Sequence, residues 1–301
     1  MGFGTSVDEI DAEEQLTTFL DAGGTLVDTA PIYGDGRTEP VLGALVGKLA
    51  IRADIVLAGK AGLVFRGGSV VRDASRRSLL DQLDQSLRDL GTDHLDLWQV
   101  HRWDESTPLD ETLAVLDHAV TTGRTRYVGI SNFDGWQLAT AATWLSERTL
   151  GTRLVSNQVE YSLVRRDAER EIVPAATHHG MGLIAWAPLG RGVLTGKYRG
   201  GTPSDSRGAD ARWEGYVEPY LGSERAHIIE AVAKAADGLE VTMSHVALSW
   251  LLQRPTVAAA LVGARTTAQL SESLATEDVE IPDEILRALD EVSSPESVTD
   301  V

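Results

Sequence analysis

The stretch Asp73–His101, DASRRSLLDQLDQSLRDLGTDHLDLWQVH, combines the two elements from which this fold is built. In its first part leucines recur at helical spacing while arginine and aspartate take the opposite face, which predicts an amphipathic helix. Gly91 ends that helix, and the short apolar segment Leu95–His101 follows as a strand. The stretch therefore predicts one helix–strand unit of an α/β fold.

The same alternation recurs along the whole chain. Short apolar, β-branched segments are separated by longer helical ones, a pattern typical of parallel strands joined by helical crossovers. The predicted strands are Thr25–Thr29, Ile55–Lys60, Leu95–His101, Tyr127–Ser131, Leu154–Val159, Gly182–Ala187 and Val257–Val262. These strands, together with a short N-terminal segment, predict a (β/α)8 TIM barrel rather than a doubly wound sheet.

The first strand of this barrel is predicted to be short or missing. A helix is expected near Glu9–Ala22, so only Met1–Ser6 precedes it, fewer residues than a strand of about five or six plus its turn needs. Either the chain starts upstream of Met1, or an edge is exposed between the strands at 25–29 and 257–262. With no linker or composition break, we predict a single domain over 1–301, with a functional loop at about 190–220.

Composition excludes several classes of protein. A chain of 301 residues with 43% hydrophobic composition is globular and buries a large core. Its 27 Lys+Arg and 45 Asp+Glu give a net charge of −18, which disfavours nucleic acid and anionic membranes as partners. Without cysteine there are no disulfides or thiolate metal sites, and histidine spacing predicts no metal centre. We expect no membrane span or signal peptide, and a cytoplasmic location.

Motifs of other nucleotide-binding and hydrolytic folds do not fit. No Gly-x-Gly-x-x-Gly follows an early strand, so a Rossmann unit is not predicted. In the late glycine-rich loop, Arg191 and Tyr198 occupy positions where a P-loop requires glycine and Ser/Thr. Gly129–Phe133 lacks the last glycine of a nucleophile elbow.

Four polar residues follow successive predicted strands. Asp28, Lys60 and His101 end three of them, and Tyr33 lies in the loop after the first. Each has an ordinary structural explanation when taken singly, but the ends of barrel strands converge on one face, which brings the four together. A nearby Lys60 would lower the pKa of Tyr33 from about 10 by about two to three units. Tyr33 would then exchange a proton near neutrality, Asp28 would hold Lys60, and His101 would orient a carbonyl oxygen.

At these positions the sequence resembles the aldo-keto reductase superfamily. The matching segments are Asp28–Gly34, Lys60–Gly62, Asp96–His101, Gly129–Asn132, Asn157–Ser162, Trp186–Gly192 and Val262–Arg265, which occur in the family's order through 28–274. The resemblance implies an oxidoreductase that binds NADP(H) in a (β/α)8 barrel. It also implies reversible reduction of an aldehyde or ketone to an alcohol, with Tyr33 as general acid and Asp28, Lys60 and His101 completing a catalytic tetrad.

The resemblance further implies the cofactor-binding residues. Ser131, Asn132 and Gln158 would bind the nicotinamide carboxamide, and Tyr161 would stack on its ring. The pyrophosphate loop and the residues before it are Trp186, Pro188, Leu189, Arg191 and Lys197, and the adenosine end has Gly263, Arg265, Gln269 and Glu272. Arg265 suggests a 2′-phosphate and hence NADPH over NADH. Ser273 replaces an asparagine that is frequent in the family, which would weaken adenine binding slightly.

Charge gives separate support for an anionic ligand. Trp186–Arg212 contains five Arg/Lys and two Asp, a local +3 in a chain of net charge −18. Trp103, Phe133 and the loop at 190–220 predict an apolar, aromatic-rich pocket for a small carbonyl substrate, with aldehydes, ketones, quinones and sugar-derived carbonyls all open. Two alternatives also stay open: a cofactor-binding regulatory or redox-sensing module with little turnover, and a cofactor-free barrel lyase or isomerase.

Overall fold

Parallel strands form the centre of the fold in the computed structural model, which describes residues 2–204, 206–210, 213 and 215–295. The strands are β1 Leu26–Asp28, β2 Val56–Ala61, β3 Leu63–Arg66, β4 Ser69–Arg72, β5 Leu95–Val100, β6 Thr125–Ser131, β7 Leu154–Glu160, β8 Gly182–Trp186 and β9 Val257–Leu261. Seven of them share one sheet in the order β1-β2-β5-β6-β7-β8-β9. Each of the seven lies at a position where the sequence predicts a strand.

Helices separate successive strands of this sheet. Their bounds are α1 Glu9–Asp21, α2 Thr38–Leu49, α3 Arg76–Asp89, α4 Leu109–Thr121, α5 Gly135–Arg148, α6 Ile172–His178, α7 Ser223–Leu239, α8 Met243–Leu252, α9 Thr267–Leu274 and α10 Asp283–Val292. Parallel pairing is recorded for β1 with β2, β2 with β5, β5 with β6 and β6 with β7. This alternation confirms the predicted α/β class and the strand–helix order of a (β/α)8 barrel.

The segment before α1 contains no strand among the described residues. Phe3 and Val7 form a single parallel bridge, and the Gly2 carbonyl accepts hydrogen bonds from the amides of Thr5 and Val7. The predicted short or missing first strand is therefore confirmed. The strands at the two ends of the sheet order, β1 and β9, are largely half-exposed, whereas β2 and β5 are almost entirely buried.

A hairpin that the sequence analysis does not identify follows β2. β3 and β4 pair antiparallel, with Phe65 opposite Val70. Gly67 and Gly68 connect them with φ of 58° and 82°, and this left-handed pair favours a two-residue hairpin turn. The two glycines between apolar segments are the sequence signal that could have predicted this hairpin. Phe65 and Val70 are 51% and 50% exposed, so this small sheet turns apolar side chains to solvent.

The described chain divides into two compact units. Unit 1 comprises Met1–Gln158, Glu171–Leu183 and Gly263–Ser271, and unit 2 comprises Val159–Arg170, Ile184–Val262 and Glu272–Val301. Leucines of α3 and α4 are fully buried in unit 1, and unit 2 buries Val232 of α7 and Trp250 of α8. A single domain over 1–301 stays a prediction. No helix in the described parts of the chain has the length and apolarity needed to cross a membrane.

The predicted loop at 190–220 contains short 3-10 turns in its described parts. These turns are Gly190–Thr195, Arg207–Ala209 and Glu218–Tyr220. Asp205, Ala211, Arg212 and Glu214 of this loop, and Met1 at the chain start, lie outside the described residues. Of the charged residues counted in Trp186–Arg212, the structure therefore describes Arg191, Lys197, Arg199, Arg207 and Asp210.

Helices α2 and α3 approach closely at Gly43. A Cβ built at Gly43 would lie 2.3 Å from the carbonyl oxygen of Asp89 and 2.7 Å from Cα of Leu90. At Gly47, one turn later in α2, a Cβ would meet no described atom within 4 Å. The two glycines therefore form a matched pair, of which only Gly43 is required by packing.

We expect Gly43→Ala to lower the free energy of unfolding by about 1–3 kcal/mol, because backbone atoms of α3 must move to admit the methyl group. Gly47→Ala should instead raise it by about 0.5–1 kcal/mol, since alanine favours the helix. Urea unfolding followed by circular dichroism measures both changes. Equal stability of the two variants would contradict the close contact of α2 and α3.

Candidate active site

Strand register brings the predicted catalytic residues together within unit 1. Asp28, the last residue of β1, pairs with Ala58 of β2, and Lys60 lies two residues further along β2. Because side chains alternate along a strand, Ala58 and Lys60 share a face, which places Lys60 beside Asp28. His101 directly follows β5, and Tyr33 begins the turn Tyr33–Gly36 after β1.

Lys60 lies at the centre of this cluster. Its Nζ is 2.5 Å from Asp28 Oδ2, and it donates hydrogen bonds to Tyr33 Oη at 3.1 Å and to the Thr29 carbonyl oxygen at 3.2 Å. The ammonium also lies 4.9 Å from the centre of the Tyr33 ring. Lys60 thus contacts both a carboxylate and the phenol that would handle a proton.

Burial and charge act in opposite directions on Lys60, which is 0% exposed. Burial alone would lower the pKa of Lys60, but the charges and hydrogen bonds of Asp28 and Tyr33 outweigh it and hold that pKa above its ordinary value. Lys60 therefore stays an ammonium at neutral pH. Asp28 maintains this charge, as the sequence analysis expects.

The expected lowering of the Tyr33 pKa is wrong for this structure. Burial raises the pKa of Tyr33 above its ordinary value, the nearby Asp28 carboxylate adds to the rise, and the charge and hydrogen bond of Lys60 only oppose it. The prediction from sequence considered the charge of Lys60 but not the burial of Tyr33, which disfavours the phenolate. Tyr33 consequently rests as a phenol that carries its proton at neutral pH.

His101 completes the cluster as a neutral imidazole. Its ring lies 5.9 Å from that of Tyr33, centre to centre, at an interplanar angle of 84°. Burial lowers the pKa of His101 to about 3, and the positive charges of Lys60 and Arg102 add to the effect. A neutral imidazole has one N–H, which can donate a hydrogen bond to a carbonyl oxygen.

The predicted nicotinamide residues of unit 1 are joined to the same cluster. Gln158 Nε2 donates to Asp28 Oδ1 at 2.8 Å, and Ser131 Oγ donates to the Gln158 carbonyl at 2.9 Å. Asn132 has φ of 56° and donates from Nδ2 to the His101 carbonyl oxygen at 3.2 Å. Ser131 and Gln158 are buried, whereas Asn132 is partly exposed. The structure therefore brings these three residues together beside Asp28 and His101.

Tyr161, predicted to stack on a nicotinamide ring, lies in the interior of unit 2. It is 2% exposed, its ring lies 5.8 Å from that of Trp250, and its hydroxyl donates to Glu169 at 2.7 Å. Tyr161 is therefore packed inside unit 2, and its stacking on a nicotinamide ring stays a prediction. Trp186, at the end of β8, is the partly exposed aromatic residue of unit 2 among the predicted cofactor residues.

The glycine-rich loop after β8 has an unusual backbone. Gly190, Arg191 and Gly192 have φ of 56°, 57° and 100°, all in the left-handed region. A Cβ at Gly190 would lie 2.5 Å from Val164 Cγ2, and one at Gly192 would lie 3.0 Å from Lys197 Nζ. Within the turn, the amides of Gly190 and Gly192 donate to the carbonyl oxygens of Ala187 and Leu189, each at 2.9 Å. Pro188 and Leu189 precede this turn, and their part in cofactor binding stays a prediction.

Arg191 is engaged within unit 2. Its guanidinium forms two hydrogen bonds of 2.7 Å with the Glu160 carboxylate, and its Nη1 donates to the Tyr216 carbonyl at 2.7 Å. Tyr220 donates to the same carboxylate at 2.8 Å. The sequence analysis did not identify Glu160 or Tyr220, although Glu160 stands in a quoted motif, two residues after Gln158.

Residues predicted for the adenosine end lie in both units and are described separately. In unit 1, the Arg265 amide donates to Gln269 Oε1 at 3.0 Å, which places Gln269 at the start of α9, and Gly263 is exposed. In unit 2, the carbonyl oxygen of Glu272 lies 2.9 Å from Nε2 of His245. The role of this group in binding a cofactor stays a prediction.

Aromatic side chains cluster after β5 and β6. The Trp103 ring contacts those of Phe133 and Trp136, each at 5.3 Å between centres, and Trp136 is 58% exposed. Asp104 fixes the loop that holds Trp103 by accepting hydrogen bonds from the Ala74 amide at 2.9 Å and from Thr107 Oγ1 at 2.8 Å. Phe133 is 1% exposed, so the open part of this cluster is formed by the partly exposed Trp103 and by Trp136, and its role in a substrate pocket stays a prediction.

The site combines three groups near the ends of parallel strands: the Tyr33 phenol that carries its proton, the Lys60 ammonium held by Asp28, and the neutral His101 imidazole. Together these groups can protonate a carbonyl oxygen. The sequence pattern of the Aldo/keto reductase family matches residues 1–294. The chain therefore belongs to the aldo/keto reductase family, as the resemblance predicts.

Individual relatives agree with this assignment. The chain is 33% identical over 301 residues to "Uncharacterized oxidoreductase YrpG" of Bacillus subtilis (strain 168), covering 97% of this chain and 90% of that protein. It is 34% identical over 268 residues to "L-glyceraldehyde 3-phosphate reductase" of Escherichia coli (strain K12), covering 86% and 76%. It is 33% identical over 282 residues to "Probable voltage-gated potassium channel subunit beta" of Arabidopsis thaliana, covering 92% and 85%. Membership and the reductase names support an oxidoreductase that reduces carbonyl groups.

A further buried carboxyl group, Glu39 of α2, lies near this site and was not identified from the sequence. It is 1% exposed, and its Oε2 accepts a hydrogen bond from Ser86 Oγ at 2.9 Å. Burial raises the pKa of Glu39 to about 7, the charge of Asp89 adds to the rise, and the Ser86 hydrogen bond and Lys60 oppose it. The folded protein therefore favours the protonated form of Glu39.

This preference predicts a pH-dependent stability. The pKa of Glu39 is about 7 in the folded chain and returns to its ordinary 4.5 on unfolding, so stability is lost as pH rises between these values. Glu39→Gln mimics the protonated form, and relative to the parent it should gain about 3 kcal/mol between pH 4.5 and pH 8. Urea unfolding at several pH values measures the difference, with exposed Glu14→Gln as control. A parallel pH dependence in Glu39→Gln and the parent would refute the assignment.

Proposed function

We propose that the protein reduces an aldehyde or ketone to an alcohol with NADPH, and that Tyr33 supplies the proton. One observation carries this proposal: the fully buried Lys60 ammonium lies between Asp28 Oδ2 at 2.5 Å and Tyr33 Oη at 3.1 Å. An ammonium in this position favours a phenolate, the form that Tyr33 takes once it has given its proton away.

The residues present fit an NADP(H) cofactor, as judged within each unit. In unit 1, the amides of Asn132 and Gln158 and the Ser131 hydroxyl lie together beside the tetrad, a donor and acceptor set suited to a carboxamide. In unit 2, the left-handed turn at 190–192 lies beside a cation, since a Cβ at Gly192 would lie 3.0 Å from the Lys197 ammonium. That cation suits a pyrophosphate. When bound, the cofactor supplies hydride to the carbonyl carbon.

Tyr33 begins the reaction with its proton in place. Its raised pKa keeps the phenol intact at neutral pH, so it acts as an acid toward the substrate oxygen as negative charge develops there. The O–H bond of Tyr33 breaks, the new O–H bond forms on the substrate, and the phenolate left behind is stabilised by Lys60 at 3.1 Å. Solvent then returns a proton to Tyr33. In the oxidative direction the same phenolate accepts the alcohol proton.

Orientation of the carbonyl falls to His101 and to the aromatic residues. The neutral imidazole donates a hydrogen bond without bringing a second positive charge next to Lys60, which its pKa of about 3 ensures. The partly exposed Trp103, which packs on the buried Phe133 and contacts the exposed Trp136, favours an apolar or aromatic substituent on the substrate.

A second candidate function is a cofactor-binding regulatory or redox-sensing module with little turnover. The observation that favours it is the similarity to the Arabidopsis protein named as a probable potassium channel β subunit. The complete set of Asp28, Tyr33, Lys60 and His101 favours turnover. Tight NADPH binding without carbonyl-dependent oxidation across a broad substrate panel would support the second candidate.

We expect Tyr33→Phe to reduce the rate of carbonyl-dependent NADPH oxidation by at least about 10²–10⁴-fold, the usual contribution of a general acid. NADPH affinity, measured by quenching of tryptophan fluorescence, should change little because the phenyl ring remains. Tyr127→Phe is the matched control, since Tyr127 is 59% exposed on β6. Near-normal turnover in Tyr33→Phe would overturn the assigned role of Tyr33.

Cofactor preference gives a separate prediction. A cationic Arg265 at the 2′-phosphate would be worth about 1.5–3 kcal/mol as a charged hydrogen bond, or about 10–100-fold in affinity. Arg265→Ala should therefore raise the Kd for NADPH by that factor and leave the Kd for NADH nearly unchanged. Arg287→Ala, which removes an exposed arginine of α10, serves as control. Equal losses for both cofactors would contradict a contact between Arg265 and the 2′-phosphate.

A further inference from the structure

The Arg191 side chain does not extend from its loop as a phosphate ligand would. Its side chain is 17% exposed, and its guanidinium forms a two-point ion pair with Glu160, whose side chain is 12% exposed. A third contact joins it to the Tyr216 carbonyl oxygen at 2.7 Å. The Glu160 carboxylate thus neutralises the charge of Arg191 and occupies the two-point position on the guanidinium that a phosphate could otherwise take.

Aromatic rings surround the same guanidinium. Its central carbon lies 4.3 Å from the centre of the Tyr216 ring, 5.1 Å from that of Tyr220 and 5.6 Å from that of Trp186. Tyr220 is itself 2% exposed and donates its hydroxyl proton to Glu160. Withdrawing Arg191 would break these ring contacts and leave Glu160 without its cation, which is unfavourable for a partly buried carboxylate.

The contacts connect three separate stretches of unit 2. Glu160 ends β7, Arg191 stands in the left-handed turn at 190–192, and Tyr216 and Tyr220 bound the described end of the long loop. A non-glycine residue with φ of 57° is held in an unfavourable conformation, so the side-chain contacts of Arg191 stabilise the turn. Glu160 is the residue on which both Arg191 and Tyr220 converge.

We propose that Glu160 is a positioning residue for cofactor binding. Through Arg191 and Tyr220 it holds the turn at 190–192 and the segment at 216–220 in one arrangement. The turn, with the Lys197 ammonium beside Gly192, then offers a fixed site to the cofactor phosphates, and Arg191 acts as a structural clamp rather than as their ligand. This inference rests on the proposed NADPH-dependent function and adds a residue that neither the tetrad nor the predicted cofactor set contains.

The direction in which Glu160→Gln changes the Kd for NADPH tests the proposal. Glu160→Gln removes a negative charge near the anionic cofactor, which by itself would tighten binding. If Glu160 positions the turn, the Kd for NADPH rises at least tenfold, and the loss falls on KM for NADPH more than on kcat. If Glu160 instead competes with phosphate for Arg191, the Kd falls, and this result, like an unchanged Kd, overturns the proposal.

Glu230→Gln provides the matched control. It removes the same charge from an exposed ion pair of unit 2, Glu230 with Arg199 at 2.8 Å, and should leave the Kd for NADPH within about twofold. Tyr220→Phe removes only the hydrogen bond to Glu160 and should raise the Kd in the same direction by a smaller factor. If Glu160→Gln fails to fold, Tyr220→Phe still decides the proposal: a Kd equal to that of the parent overturns it.

Hydrogen exchange on the cofactor-free protein separates this inference from the proposed function. Glu160→Gln should accelerate amide exchange at 191–194 and 216–220 by at least tenfold, with the α3 amides unchanged. That result with no NADPH binding in the parent would refute the proposed function and leave the clamp standing. Equal exchange in parent and variant would overturn the clamp, whatever the protein binds.

Discussion

A fully buried ammonium group is the constraint on which the site depends. Lys60 cannot reach water, so neighbours must balance its charge and accept its hydrogen bonds: the Asp28 carboxylate lies at 2.5 Å, and the Tyr33 hydroxyl accepts a hydrogen bond at 3.1 Å. Removing one partner of a buried pair leaves a charge without compensation, which typically destabilises a protein by about 3–5 kcal/mol. The positions of β1, β2 and the turn at Tyr33 are consequently fixed by electrostatics as well as by packing. The same charge that requires these partners also prepares the phenol for its proton transfer.

Units 1 and 2 each use a carboxylate at the end of a strand to hold a cation, but the two cations differ in kind. Lys60 is a point charge that contacts a carboxylate and a phenol from one atom, which suits a group that influences a proton. Arg191 is a planar fork that meets Glu160 at two points and stacks among aromatic rings, which suits a fixed arrangement of backbone. In a chain with a net charge of −18, carboxylates for both purposes are plentiful, and the cations are the scarce partner.

The sequence was sufficient for the elements whose signals are local. Apolar segments and helical spacing located the strands of the sheet, and residues at strand ends located Asp28, Lys60 and His101, because parallel strands end on one face. The direction of the Tyr33 pKa shift was predicted wrongly, because desolvation depends on which atoms surround the phenol in the folded chain, and the sequence does not show them. Glu160 escaped notice because its partner Arg191 is 31 residues away, and only the fold brings the two together. The hairpin β3–β4 was missed although Gly67 and Gly68 give it a local signal.

The hydrogen bond from Gln158 to Asp28 joins residues that are 130 positions apart in the chain. Closing so long a loop is entropically unfavourable until the strands and helices between the two residues have formed. Local units such as the helix and strand within Asp73–His101 can form earlier, since their contacts are close in sequence. The contact between Gln158 and Asp28 is therefore expected to form after these local units. Recovery of activity after dilution from denaturant would then follow recovery of helical content, with a lag set by the formation of this contact.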